Sequence, residues 1–167
     1  MAKRILIVDD HPMMRQGLAQ LINSEPDLMV CCEAHTARQA LEAIGPGKPD
    51  LALVDISLPD KSGLELIKDL HALYPELRVL VVSMHDESLY AERVLRAGGR
   101  GYIMKQEGGK KLVQAIRQVL SGQIYVSEKM SARILEIFSG GHRDGTGSPV
   151  GRLTDREFEV FQLIGQG

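Results

Sequence analysis

The amino-acid sequence predicts a doubly wound α/β domain built on a five-stranded parallel sheet. Five runs are continuously apolar, which is typical of strands that helices cover on both faces. These runs span residues 5–8, 28–32, 51–54, 79–82 and 102–104. Between these runs lie segments whose apolar residues have helical spacing. Examples are the sets Met14, Leu18, Leu21, Ile22; Leu66, Ile67, Leu70, Leu73; and Leu112, Val113, Ile116, Val119. Five repeats of a strand followed by a helix predict a domain that ends near Ser121.

Capping residues mark the ends of the predicted helices. Thr36 with Gln39, and Ser62 with Glu65, fit the spacing of capping boxes at helix starts. Glycine and proline at 45–47, 74–75 and 98–99 are typical of helix stops.

The chain after residue 121 has a different character. One more helix is predicted with Ser127 as its cap and one apolar side, formed by Met130, Ile134, Ile137 and Phe138. Residues 139–149 are rich in glycine and polar residues, which predicts a flexible linker. Thr154 and Glu157 then form a capping box at the start of another helix. We therefore expect a first domain at 1–121, a linker with one helix at 122–150, and part of a second domain at 151–167.

Composition narrows the class of protein. A net charge of −2 and a pI near 6.2 argue against a nucleic-acid footprint over most of this surface. No apolar run approaches the roughly 20 residues of a membrane span, so no membrane partner is expected. Cys31 and Cys32 are adjacent and would point to opposite faces of a strand, so we expect no disulfide between them. These features predict a cytoplasmic protein.

Polar residues follow four of the five predicted strands. Asp9 and Asp10 follow the first, Asp55 the third, Ser83 the fourth and Lys105 the fifth. Ligands of open α/β sheets bind at the carboxyl ends of the strands. In the strand order 2-1-3-4-5, the first and third strands are neighbours, so the three carboxylates are expected to converge.

Converging carboxylates require a counter-charge. At ~4 Å and an effective dielectric near 20, each pair of charges repels by about 4 kcal/mol, so a proton or a cation is needed. Oxygen ligands with open positions suit Mg²⁺.

Each residue alone has a structural explanation, since Asp10 can cap a helix, Asp55 can end a strand, Ser83 can lie in a turn and Lys105 can be solvated. Their joint position at one sheet edge favours a functional site.

The segments around these residues resemble the receiver domains of two-component response regulators. The resemblance lies in 4–12, in 53–63 with its proline and glycine, in 81–84 and in 101–105, and it extends over about 3–121. Residues 153–157 resemble the start of a LuxR-type helix-turn-helix domain, as in the NarL/FixJ-like subfamily. The resemblance implies a flavodoxin-like fold and a switch operated by phosphorylation.

The resemblance also implies roles for the site residues. Asp55 would accept a phosphoryl group from a histidine kinase. Asp10 would bind Mg²⁺ directly and Asp9 through water, with Asp55 and the Ser57 carbonyl as the remaining protein ligands. Magnesium is thus the expected cofactor, and the kinase is the expected partner.

The remaining implied roles belong to the switch. Lys105 would pair with the phosphoryl group, Ser83 would shift to hydrogen-bond it, and Tyr102 would change rotamer as Ser83 moves. The output surface would be the fourth helix, fifth strand and fifth helix, or a homodimer face on the first and fifth helices.

His85 and Ser57 lie where they can affect self-dephosphorylation, in a direction that the sequence does not give. His11 is expected to be a helix-start residue and not a metal ligand.

Two other functions are less consistent with the sequence. A phosphatase of the haloacid dehalogenase type requires a second carboxylate two residues after the nucleophile, where this chain has Ser57. A pseudo-receiver that binds proteins without using phosphate is the second alternative, although all five key residue types are present. We expect no turnover enzyme.

The last segment bears on DNA binding. The second helix of a helix-turn-helix motif reads the major groove, and we expect this chain to end before it. The intact protein is expected to bind DNA, whereas this chain by itself is not.

Overall fold

The computed structural model describes residues 2–140, with side chains described as far as residue 137. The strands are β1 (Lys3–Val8), β2 (Leu28–Ala34), β3 (Leu51–Val54), β4 (Arg78–Ser83) and β5 (Gly101–Met104). The helices are α1 (Pro12–Asn23), α2 (Ala37–Gly47), α3 (Gly63–Leu73), α4 (Glu87–Ala97), α5 (Gly109–Leu120) and α6 (Glu128–Gly140). A 3₁₀ turn at Lys105–Glu107 links β5 to α5.

The five strands form one parallel sheet in the order β2-β1-β3-β4-β5. Both the fold class and this order confirm the sequence prediction. Ile5 and Ile7 of β1 point into the layer with α1 and α5. Leu6 and Val8 point into the opposite layer, which contains α2, α3, α4 and part of α6. Because both faces are covered, the strands need no polar positions, and their sequences are continuously apolar.

The predicted caps begin their helices. The Thr36 hydroxyl accepts a hydrogen bond from the Gln39 amide at 3.0 Å, while the Gln39 side chain accepts from the His35 amide. The Ser62 hydroxyl accepts one from the Leu64 amide at 3.1 Å, and not from the predicted Glu65. The predicted stop at 45–47 lies inside α2, which continues to Gly47. The chain reverses at Lys48, whose left-handed backbone (φ 46°) places its amide on the Ile44 carbonyl.

A β-bulge in β2 overturns one prediction. Ile5 pairs with Val30 and Leu6 with Cys32, so Cys31 is an extra residue with no partner on β1. A bulge interrupts the alternation of side chains along a strand. Cys31 and Cys32 therefore do not point to opposite faces: their Sγ atoms lie 3.0 Å apart, and both are free thiols.

Helix α6 packs onto the sheet domain. Ser127 caps it as predicted, since its hydroxyl accepts from the Met130 amide at 3.1 Å. The backbone amide of Ser127 donates to the Glu87 carboxylate in the first turn of α4 at 2.9 Å. Met130 and Ile134 are buried in the layer that contains α4.

The predictions for the end of the chain are tested only in part. Helix α6 continues to Gly140 and so includes the first two residues of the stretch at 139–149 that was predicted to be flexible. The rest of the linker, the capping box at Thr154 and Glu157, and the second domain at 151–167 lie outside the described residues. Within residues 2–140, no helix has both the length and the apolar character that a membrane span requires.

Candidate functional site

Three carboxylates meet at the carboxyl edge of the sheet, where β1 and β3 are neighbours. The Asp55 amide donates to the Val8 carbonyl at 3.0 Å, which places the end of β3 beside the end of β1. Ligand atoms of Asp9, Asp10, His11 and Asp55 all lie within 4.8 Å of one another. Asp9 and Asp55 are only 2% and 4% exposed. The convergence expected from the strand order is therefore present.

Lys105 provides the positive charge among these carboxylates. Its Nζ lies 2.9 Å from Asp9 Oδ2 and 3.1 Å from Asp55 Oδ2, and its side chain is 4% exposed. Burial disfavours the charged ammonium, but the hydrogen bond to Asp9 and the attraction of Asp55 outweigh this, so the pKa of Lys105 is raised. The lysine bridges the two strand ends and holds the buried carboxylates in place.

One carboxylate oxygen is left without a donor. Asp10 Oδ1 is buried and accepts no hydrogen bond from the described part of the chain. His11 Nδ1 is 3.1 Å from it, but its hydrogen bond is with Asp9 Oδ1 at 3.0 Å. A buried, unsatisfied carboxylate oxygen is costly, and a hard divalent cation is a favourable partner for it. The acidic cluster is thus suitable for a metal ion.

A buried hydroxyl lies at the end of the neighbouring strand. Ser83 ends β4 with 0% exposure, and its hydroxyl accepts a hydrogen bond from the His85 amide at 3.0 Å. The Tyr102 hydroxyl donates to the His85 carbonyl at 2.6 Å. Burial raises the pKa of Tyr102 to about 12, although its hydrogen bond with Ser83 opposes that change. Ser83 and Tyr102 thus fix the backbone of the β4–α4 loop on both sides of His85.

A side-chain hydrogen bond joins the loops that follow β3 and β4. Ser57 Oγ lies 2.9 Å from His85 Nε2. The Ser57 amide donates to Asp55 Oδ1 at 3.3 Å, so the same residue contacts the central carboxylate. The His85 ring also lies 5.1 Å from the Tyr90 ring, between centroids. These contacts place the imidazole beside the site and restrict its movement.

Gly63 allows the loop after β3 to close against the site. A Cβ at this position would lie 2.4 Å from the Asp55 carbonyl oxygen and 2.7 Å from Ile56 Cα. The Gly63 amide donates to the Ile56 carbonyl at 2.8 Å. Any larger residue would push α3 away and disturb the backbone that carries Asp55.

Most of the residues that the structure brings together were predicted from the sequence. Four of the predicted strand-end residues form the charged cluster, namely Asp9, Asp10, Asp55 and Lys105. Ser83 and Tyr102 lie at the same edge, and their hydrogen bonds go to the His85 backbone. That anchoring role has no sequence signal, because any residue has the same amide and carbonyl. His11 is the N-cap residue of α1, as expected, and its ring also lies against two carboxylates.

Comparisons with known proteins agree with this geometry. The family model described as response regulator receiver domain matches residues 5–117. The chain is 30% identical over 177 residues to the transcriptional regulatory protein DegU of Brevibacillus brevis, covering 98% of this chain and 75% of DegU. It is 33% identical over 168 residues to the oxygen regulatory protein NreC of Staphylococcus haemolyticus, covering 98% of this chain and 77% of NreC.

A solved structure is similar over most of the fold. The crystal structure of a LuxR-family two-component response regulator from Aurantimonas sp. SI85-9A1 superposes with a TM-score of 0.75 and 33% identity, covering 81% of this chain and 97% of that chain. Receiver domains of this kind are not classical turnover enzymes. The chain belongs to the receiver-domain response regulators, within the NarL/LuxR family.

Proposed function

We propose that Asp55 accepts a phosphoryl group from the phosphohistidine of a sensor histidine kinase, with Mg²⁺, and that the aspartyl phosphate switches a DNA-binding output. The position of Asp55 carries this proposal. Its carboxylate is buried, lies 3.1 Å from the Lys105 ammonium, and shares the sheet edge with two more aspartates. A carboxylate in this setting is an oxygen nucleophile with a cation already beside it.

The proposed ligands of Mg²⁺ are the residues that the acidic cluster supplies. Asp10 would bind the ion directly and Asp9 through a water molecule, while Asp55 and the Ser57 carbonyl would complete the protein ligands. The buried, unsatisfied Asp10 Oδ1 supports this assignment, because a cation would satisfy it. When bound, Mg²⁺ neutralises the charge on the phosphoryl oxygens during transfer.

The transfer itself needs little from the protein beyond positioning and charge. A carboxylate oxygen of Asp55 forms a bond to phosphorus as the bond between phosphorus and the kinase histidine nitrogen breaks. The electron pair of that bond leaves with the imidazole. Lys105, whose Nζ already contacts the Asp55 carboxylate, then pairs with the phosphoryl oxygens through charge-assisted hydrogen bonds.

The proposed switch begins at the hydrogen bonds to His85. In the present structure the Ser83 hydroxyl accepts a hydrogen bond from the His85 amide. On phosphorylation Ser83 moves to hydrogen-bond the phosphoryl group and releases this amide. Tyr102 changes rotamer and releases the His85 carbonyl. The freed loop leads into α4, whose Glu87 holds the amide that precedes α6. A new phosphoryl group can reorganise a loop in this way through local hydrogen bonds.

The output and its partners are part of the same proposal. Residues 1–121 form the receiver, 122–150 a linker with one helix, and 151–167 the N-terminal part of a LuxR-type DNA-binding domain. The relative DegU is described as a transcriptional regulatory protein, and this chain covers about three quarters of the length of DegU and NreC. The full-length protein would bind DNA in the cytoplasm, with a homodimer through α1 and α5, or through α4, β5 and α5.

The experiment compares labelling by acetyl phosphate in the native chain and in an Asp55→Asn variant, with Mg²⁺ or with EDTA. Intact-protein mass spectrometry counts the phosphoryl groups. Asp69→Asn is the matched control, because Asp69 is an aspartate on α3 that pairs with Lys61 at the surface. We expect labelling of the native chain and the control in Mg²⁺ only, and none of Asp55→Asn. No labelling of the native chain would favour the phosphate-independent pseudo-receiver.

A further inference from the structure

The two cysteines form a preformed dithiol at the edge of the sheet. Cys31 is the unpaired residue of the bulge in β2, and Cys32 resumes the pairing with Leu6. Their Sγ atoms lie 3.0 Å apart, although the residues are neighbours in the chain. In a regular strand the two side chains would diverge. The bulge therefore brings together the only two thiols of the chain.

The pair is accessible from outside. β2 is an edge strand, and both cysteines are partly exposed. Gly47, at the end of α2, faces the pair, and a Cβ there would lie 2.7 Å from Cys32 Sγ and 3.6 Å from Cys31 Sγ. The absence of a side chain at Gly47 is what leaves room for the Cys32 sulfur.

The sulfur separation suits a bridging atom better than a direct bond. A disulfide needs sulfurs about 2.0 Å apart, and closing one between adjacent residues makes a small, strained ring. An atom that forms bonds of about 2.3 Å to each sulfur, as zinc does with thiolates, spans a pair at this separation with a small opening of the side chains. The geometry therefore favours a thiophilic atom that takes two protein ligands.

The chemistry of the thiols distinguishes among thiophilic atoms. A divalent cation such as Zn²⁺ requires both thiolates and commonly four ligands. Burial and the neighbouring Cys31 raise the pKa of Cys32 to about 12, and residues 2–140 contain no group of three or more metal-ligating side chains at these cysteines. A trivalent arsenic hydroxide does not require a thiolate. Each hydroxyl on arsenic takes a thiol proton and leaves as water, while the sulfur bonds to arsenic.

We propose that Cys31 and Cys32 form a bidentate site for trivalent arsenicals at the edge strand β2. For a monosubstituted arsenical the reaction is R–As(OH)₂ + 2 Cys–SH → R–As(S–Cys)₂ + 2 H₂O. Two As–S bonds form, two As–O bonds break, and arsenic stays trivalent throughout. The proposal is independent of the phosphorylation of Asp55.

The test uses phenylarsine oxide with the full chain and its Cys31→Ser and Cys32→Ser variants. Native mass spectrometry counts bound phenylarsine in the presence of excess 2-mercaptoethanol, and then after addition of 1,2-ethanedithiol. We expect the native chain to retain one phenylarsine against the monothiol and to release it to the dithiol. Each single variant should bind at least about 100-fold more weakly, since the second bond is intramolecular only in the native chain.

A second measurement asks whether the folded geometry matters. Phenylarsine should raise the thermal unfolding midpoint of the native chain, because a ligand that prefers the folded state stabilises it. The Ser variants, whose folding is checked by circular dichroism, should show no such rise. Binding by either single variant within about threefold of the native affinity would overturn the proposal. So would loss of the native adduct to the monothiol, or a native midpoint that stays unchanged or falls.

Discussion

Ser57 and His85 are joined by a hydrogen bond of 2.9 Å between Oγ and Nε2, which connects the loops after β3 and β4. Ser57 also contacts the Asp55 carboxylate through its amide, while Tyr102 holds the His85 carbonyl. The bond therefore lies beside the Asp55 carboxylate, which is 4% exposed. We expect it to limit the access of a phosphodonor or an attacking water to Asp55.

Removal of the hydrogen bond between Ser57 and His85 should speed both the gain and the loss of the phosphoryl group. We expect His85→Ala to be labelled faster by acetyl phosphate and to lose the phosphoryl group faster, each by roughly two- to tenfold, the scale of one hydrogen bond. Ser57→Ala should behave alike, because it removes the same bond. His71→Ala, at an exposed histidine of α3, is the control. Unchanged rates in both bridge variants would show that the bond does not limit access.

Lys105 should hold the unphosphorylated site together. Without its charge, the buried Asp9 and Asp55 lose the ammonium that both contact, and removing one partner of a buried ion pair costs about 3–5 kcal/mol. We expect Lys105→Met to lose stability on this scale in urea unfolding with EDTA, and to recover part of it in Mg²⁺.

The surface pair of Lys61 and Asp69 provides the comparison for that measurement. Lys61→Met should cost less than about 1 kcal/mol, since exposed ion pairs contribute little. Equal losses in the Lys61 and Lys105 variants would contradict the special role of Lys105.

The unsatisfied oxygen of Asp10 predicts opposite effects on metal binding and on stability. Asp10→Asn should weaken Mg²⁺ binding by about tenfold or more, because a charged ligand is lost. In EDTA the same variant should be as stable as the native chain or more stable by roughly 1 kcal/mol, because the buried Oδ1 carries less charge. Calorimetric titration and urea unfolding measure the two quantities. A variant that binds Mg²⁺ normally would remove Asp10 from the ligands.

The pKa of Tyr102 predicts a loss of stability at high pH. Burial raises this pKa from 10.0 to about 12 in the folded protein. The folded chain thus keeps a proton that the unfolded chain releases, so this contribution is complete below pH 10 and is lost as the pH rises toward 12. The free energy of unfolding should fall by about 1 kcal/mol more in the native chain than in Tyr102→Phe between about pH 9 and about pH 11. Parallel curves of the free energy of unfolding against pH in the two proteins would contradict the raised pKa of Tyr102.

The sequence predicted the sheet and its edge because those features depend on local patterns. A run such as 51–54 is apolar at every position, and the structure places that strand in the middle of the sheet. Asp9 and Asp55 follow strands that are neighbours, so their convergence follows from topology. The hydroxyls of Thr36 and Ser62 begin helices through contacts that span only a few residues.

The features that were missed depend on contacts between distant segments. The bulge at Cys31 is a property of the pairing between β1 and β2, and the local sequence is an ordinary apolar strand. The double contact of Lys105 joins three strand ends. The packing of α6 rests on the bond between Ser127 and Glu87, which lie 40 residues apart. Composition and periodicity carry no information on such pairs.

Phosphorylation of Asp55 is tested most directly by locating the phosphoryl group on the chain. The protein is labelled with acetyl phosphate and Mg²⁺ and reduced with borohydride, which converts an aspartyl phosphate to homoserine. It is then digested for peptide mass spectrometry. We expect homoserine at Asp55, dependent on Mg²⁺, and unmodified aspartate at Asp9 and Asp10. Homoserine at another aspartate, or none in a chain that carries phosphate, would show that Asp55 is not the phosphorylated residue.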